Sequence, residues 1–236
     1  MNLPNKLSIV RIALIPVFVT LFFLPFNYVR FAALGVFIVA SLTDFLDGYI
    51  ARKYNMITKV GNFLDTIADK MLIVAALVVV TVSLVPYIFV ASYKDFYTIL
   101  PVPPPPSVLV PLVNTSLGMF LFIITVVCTI IIICRELFIS GLKMIAQTKR
   151  VSISADKLGK YKMVLQIAAL CVLIPLFDIH RIHYRAGEIF LLIGVVALVL
   201  ATLLTIISAI NYLVKYRYVF SEDEKTEEKI DNEEAE

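Results

Sequence analysis

Four aspartates, Asp44, Asp47, Asp65 and Asp69, fall within 26 residues of a chain that is otherwise short of acids. Only nine acidic residues occur in the first 220 positions, and the segments around this group are apolar. A carboxylate in or beside hydrocarbon costs at least about 2.5 kcal/mol on insertion scales, so each marks a cavity, a partner or a pathway. Asp44 and Asp47 stand three apart and Asp65 and Asp69 four apart, so on helices each pair occupies one face. Brought together, the four would repel and take up protons unless cations joined them. Hard divalent cations with oxygen ligands meet that need.

The neighbours of these aspartates narrow the chemistry. Gly48 and Ala51 follow Asp47, and Gly61 precedes Asp65 by one turn. Such small residues let a ligand or a second backbone come close. Arg52 offers a forked donor to phosphate oxygens. Carboxylates with divalent cations, glycines and an arginine together describe a phosphate-transfer site. Two plainer readings compete: a structural ion network with Arg52, Lys59 and Lys70, and a cation pathway of a transporter. Neither accounts for the glycines, nor for a second basic group, Arg135, Lys143, Lys157, Lys160 and Lys162, suited to an acceptor that carries a phosphate. Glu136 beside Arg135 is placed to orient it, although an excess of positive charge on the cytoplasmic side is also a general property of membrane proteins.

The elements that must hold these residues are membrane helices. Of 236 residues, 60% are hydrophobic, more than one soluble core of this size needs. Uncharged runs such as 115–134 and 189–214 are long enough to cross about 30 Å of hydrocarbon. Six spans fit the pattern, at about 8–26, 29–51, 61–91, 112–141, 158–178 and 185–215, giving an all-α integral membrane domain over 1–220. The aspartates then sit at the facing ends of the second and third helices. Basic residues gather on that side, from Lys6 and Arg11 to Lys215 and Arg217, which makes it cytoplasmic, with both termini there and a multi-pass position in the plasma membrane. The N-terminus lacks the features of a cleaved signal. The connection 92–114, with prolines at 103–106, and His180 and His183 fall outside; two histidines without a third ligand read as interfacial residues. Cys128, Cys134 and Cys171 lie in apolar segments as small hydrophobes. Residues 221–236 hold nine acids against two lysines, an acidic tail expected to be disordered. The pattern carries no sign of nucleic-acid binding.

Read as a motif, the segment is Asp44-x2-Asp47-Gly48-x2-Ala51-Arg52-x8-Gly61-x3-Asp65-x3-Asp69, and it resembles the signature of the CDP-alcohol phosphatidyltransferases at every specified position. The resemblance implies that the four aspartates hold two divalent ions, Mg²⁺ or Mn²⁺, around the diphosphate of CDP-diacylglycerol, and that Asp69 also takes the proton of the acceptor hydroxyl. It places Asn5, Ser8, Gly48, Arg52, Thr58 and Gly61 around the nucleotide. Further segments, Asn2 to Ser8 with Arg11, Arg135-Glu136-Leu137, Gly141-Leu142-Lys143 and Lys157 to Lys162, resemble the branch whose acceptor is sn-glycerol 3-phosphate, over about 220 residues. In that branch Arg135, Lys143, Lys157 and Lys160 would bind the acceptor phosphate, and a homodimer is expected. Lys143 stands where arginine is expected and Met163 where threonine is, which keeps phosphatidylglycerol, inositol phosphate and serine in view as acceptors. An intramembrane prenyltransferase would be expected to carry its aspartate groups on helices far apart in sequence.

Overall fold

The computed structural model describes residues 3–53, 67–68, 70–85, 115–148 and 157–216. They form α1 (Leu3–Phe23), α2 (Val29–Lys53), α3 (Lys70–Val85), α4 (Thr115–Thr148), α5 (Lys157–Leu173), α6 (Leu176–Ile182) and α7 (Tyr184–Tyr216). No strand occurs among the described residues. Three segments, Leu117–Leu142, Tyr161–Ile182 and Tyr184–Val214, are long and apolar enough to cross a membrane, and Leu7–Phe23, Val29–Thr43 and Lys70–Val85 are shorter apolar helices. Large apolar side chains such as Val10, Val39, Ile130, Leu137 and Leu200 are exposed on the outside of the bundle, as a lipid-facing surface requires and a water-facing one would not tolerate over such an area.

Side-chain contacts fix the directions of the helices. Phe18 meets Phe37 at 5.9 Å between ring centroids, and Arg30 lies 5.6 Å over Phe22, so α1 and α2 are antiparallel. The Thr81 and Thr129 hydroxyls share a hydrogen bond of 2.9 Å, and Lys70 reaches Ser140, so α3 and α4 are antiparallel too. Gln166 donates to Thr205 at 3.2 Å while Gly194 receives Leu173 in the notch left by its missing side chain, which sets α5 against α7. A Cβ at Gly194 would collide with that leucine.

The helices extend further than hydropathy suggests. α1 begins at Leu3 rather than 8 and ends at Phe23, where Pro25 disfavours a helical Leu24; Tyr28 in the turn has a φ of 63°. α4 runs to Thr148 rather than 141 because a helix can leave the hydrocarbon and continue in water. The fifth span expected over 158–178 is broken. Pro175 has no N–H with which to continue α5, so the chain turns at Ile174 and restarts as α6, with Asp178 and Ile179 both donating to the Pro175 carbonyl at 3.0 Å.

That break builds a clamp at one end of the bundle. Asp178 is fully buried and accepts from the Arg30 backbone N–H at 2.9 Å and its guanidinium at 3.2 Å. The first turn of α2 thereby gains an anion where its unpaired N–H groups favour one. The guanidinium also lies 5.0 Å over Phe177. Nearby, His180 contacts the Tyr184 ring at 5.0 Å and packs against Gly187, whereas His183 is exposed. No three metal-ligating side chains converge among the described residues.

Candidate active site

Each long helix presents one inward stripe, and the stripes change character toward the end opposite the Arg30–Asp178 clamp. On α1, buried Phe22 and Phe18 give way to Arg11 and Ser8, which are 0% and 2% exposed. On α4 the stripe runs Leu121, Thr125, Cys128, Ile132 and then Arg135. On α5, Leu173, Leu170 and Ala169 are followed by Gln166 and Lys162, and on α7, Leu191, Val195 and Leu198 by Thr202, Thr205 and Ser208. The spacing of three and four residues is that of a single helix face.

α2 takes part by register. Its buried positions Ala33, Phe37 and Ala40 continue by the same steps to positions 44, 47 and 51 of the same uninterrupted helix. Phe18 pairs with Phe37, and seven residues, roughly 10 Å, lead from Phe18 to Arg11 and from Phe37 to Asp44. Arg11 therefore stands level with Asp44, and Ser8 nearly so with Asp47. From the Arg30–Asp178 pair, α2 travels about 20 Å to Asp44, and α5 covers a similar distance back to Lys162. Both sets occupy the same end of the bundle, and α2 packs against α1, α5 and α6.

A connected polar cluster lies at that end. Arg135 donates to Glu136 at 3.2 Å and to the Ser208 hydroxyl at 3.0 Å, and Lys162 forms an ion pair with the same Glu136 carboxylate. Ser140 donates to the Glu136 carbonyl and accepts from Lys70, the residue after Asp69. The side chains of Arg135, Glu136 and Lys162 are 10%, 14% and 9% exposed. Two cations thus share one carboxylate in a buried setting. The Arg135 Nε is buried with no hydrogen-bond partner among the described residues, as is the Nε of Arg30 at the clamp, so the cationic excess over one carboxylate, rather than that nitrogen, sets this cluster apart.

The expected site residues are distributed as follows. Asn5 and Ser8 lie on α1; Asp44, Asp47, Gly48 and Arg52 lie on the last turns of α2; Arg135 and Lys143 lie on α4; Lys157 and Lys160 lie in the first turn of α5. Thr58, Gly61, Asp65 and Asp69 lie outside the described residues, as do the connection 92–114 and the tail 221–236. Asp44 and Asp47, three apart on a continuous helix, share a face and supply oxygen donors only, a set that fits a hard divalent cation. The structure adds Ser140, Gln166, Thr205 and Ser208, to which sequence reasoning gave no role, and Lys70, which it weighed only as a partner in an ion network. Their signal was there for α7: hydroxyl residues at 202, 205 and 208 on one face of an otherwise apolar helix, the pattern of hydrogen bonding between membrane helices.

A profile of the CDP-alcohol phosphatidyltransferases matches residues 1–100 and 106–210. The chain belongs to that family. The interruption coincides with the start of the proline run in the connection after α3. Among curated proteins, this phosphatidyltransferase is 34% identical over 212 residues to a Rickettsia typhi protein, covering 89% of this chain and 94% of the relative. It is 31% identical over 214 residues to one from Escherichia coli K12, covering 90% and 93%, and a Shigella flexneri protein matches to the same extent. All three are named CDP-diacylglycerol–glycerol-3-phosphate 3-phosphatidyltransferase.

Proposed function

We propose that this chain transfers the phosphatidyl group of CDP-diacylglycerol to sn-glycerol 3-phosphate, releasing CMP and leaving phosphatidylglycerophosphate in the membrane. The observation that carries the reading is the buried cationic cluster of Arg135 and Lys162 around one carboxylate, at the same end of the bundle as the Asp44–Asp47 face. A donor diphosphate beside the aspartates and an acceptor phosphate beside the basic cluster use both halves of that end. The names of relatives spanning nine-tenths of the chain support the same donor and acceptor.

In this reading six helices cross the membrane with both termini cytoplasmic, α5 and α6 making one broken span, and the site opens on the cytoplasmic side. Asp44, Asp47, Asp65 and Asp69 would hold two Mg²⁺ or Mn²⁺ ions. Those ions supply Lewis-acid stabilisation of diphosphate charge when bound. Asn5, Ser8, Gly48, Arg52, Thr58 and Gly61 surround the CDP moiety. Arg135, with Lys143, Lys157 and Lys160, binds the acceptor phosphate and directs the sn-1 hydroxyl to the donor phosphorus. Asp69 takes the proton of that hydroxyl as it attacks. Positioning and charge supply most of the rate, since direct attack by the acceptor hydroxyl asks little covalent chemistry of the protein.

The test uses the purified full-length protein with CDP-diacylglycerol and Mg²⁺, offering glycerol 3-phosphate, phosphatidylglycerol, inositol phosphate and serine in separate reactions and measuring CMP release. Release with glycerol 3-phosphate alone is expected. Release with another acceptor instead would reassign the substrate, and release with none, together with ion flux in vesicles, would favour a transporter.

A further inference from the structure

The partner that turns Arg135 is on a helix with no assigned role. Of the buried hydroxyl residues on α7, Thr202 donates at 2.8 Å to the Leu198 carbonyl of its own helix and is satisfied locally. Thr205 reaches across to Gln166 of α5. Ser208 accepts from the Arg135 guanidinium of α4. Glu136 holds one terminal nitrogen of that guanidinium and Ser208 the other, leaving the buried Nε with no partner among the described residues. With its two ends tethered to different helices, the plane of the fork is set before any ligand arrives.

The chemical type at position 208 is as informative as its place. A carboxylate there would grip the guanidinium harder, but two carboxylates would then balance Arg135 and Lys162, and the attraction for an incoming anion would fall. A neutral hydroxyl orients the cation without neutralising it. We propose that Ser208 is a positioning residue for the acceptor: it holds the Arg135 fork in the orientation that serves the acceptor phosphate, while preserving the positive charge of the site. This inference rests on the glycerol 3-phosphate reading above.

The experiment compares wild type, Ser208→Ala, Ser208→Thr, Ser208→Asp and, as a control on the same helix, Thr202→Ala, each monodisperse in detergent, by CMP release with both substrates varied. Ser208→Ala is expected to raise the KM for glycerol 3-phosphate about tenfold, the weight of a hydrogen bond to a charged group, with the KM for CDP-diacylglycerol and kcat within about twofold. Ser208→Thr restores the lower value, Ser208→Asp raises it at least as far as alanine, and Thr202→Ala leaves it unchanged. A mere tether between α4 and α7 would be kept by aspartate, so a wild-type KM in Ser208→Asp overturns the proposal, as does an alanine variant that shifts neither KM or shifts both alike. If the aspartate variant does not fold, the alanine and threonine pair decides. A wild type inactive with glycerol 3-phosphate removes the functional reading and this inference with it, whereas an active wild type with a flat Ser208 series removes the inference alone.

Discussion

The two ends of the helical bundle both bury an arginine against a carboxylate, yet they are built to opposite specifications. At the clamp, Arg30 faces Asp178, the aspartate is met by a backbone N–H as well as the guanidinium, and two aromatic rings cover the cation. Charge is balanced there. At the other end, one carboxylate serves Arg135 and Lys162 together, while the Nε atoms of Arg30 and Arg135 are alike buried with no hydrogen-bond partner among the described residues. The comparison teaches that burial of charge is not by itself a sign of function. The balanced pair fastens α2 to α6, and the other sets two cations on one carboxylate among the described residues, which leaves room for the anion of the proposed acceptor.

Mutations sharpen this contrast, beginning with the largest effect. Asp69→Asn is expected to lower turnover by at least about 100-fold, the scale of general-base catalysis, while labelled CDP-diacylglycerol still binds; near-normal CMP release would remove Asp69 as the base. Arg135→Met should reduce kcat/KM for glycerol 3-phosphate by about 30-fold or more through the loss of charged hydrogen bonds, without lowering the melting temperature much, since it also relieves an unpaired buried donor. At the clamp the pattern reverses. Asp178→Asn strands a largely buried cation and is expected to cost about 3 kcal/mol of stability, read as a fall in melting temperature of several degrees, with both KM values of the folded fraction unchanged. A loss of acceptor affinity in that variant would break the division between the two ends. Thr81→Val, which removes one hydroxyl from the Thr129 contact midway along α3 and α4, should cost only about 0.6 kcal/mol, as hydrogen bonds between membrane helices do on average.

Much of this plan is legible in the chain. Apolar runs locate the helices, because burial in lipid leaves few alternatives to a helix for an uncharged stretch, and charge among apolar residues points to Asp44, Asp47 and Arg135. The pairing of Arg135 with Glu136 follows from adjacency. What cannot be read from a local window is what depends on register between helices. Ser208 and Ser140 look like ordinary small residues until α4, α3 and α7 are set side by side, and Asp178 looks like an interfacial acid until Pro175 turns α6 beneath the start of α2. Asp65 and Asp69 lie outside the described residues, so their roles rest on the motif and on family membership.

The length of α4 has a consequence of another kind. Its apolar portion ends at Leu142, yet the helix continues to Thr148, carrying Lys143 beyond the lipid-facing stretch. A site at that level draws its two substrates from different phases: a water-soluble acceptor arrives through three dimensions, while a lipid donor and a lipid product travel within the sheet of the bilayer. The expected rate law therefore follows the mole fraction of donor in the membrane rather than its bulk concentration, and adding inert lipid or detergent slows the reaction by surface dilution even when the total amounts of enzyme and substrate are held constant.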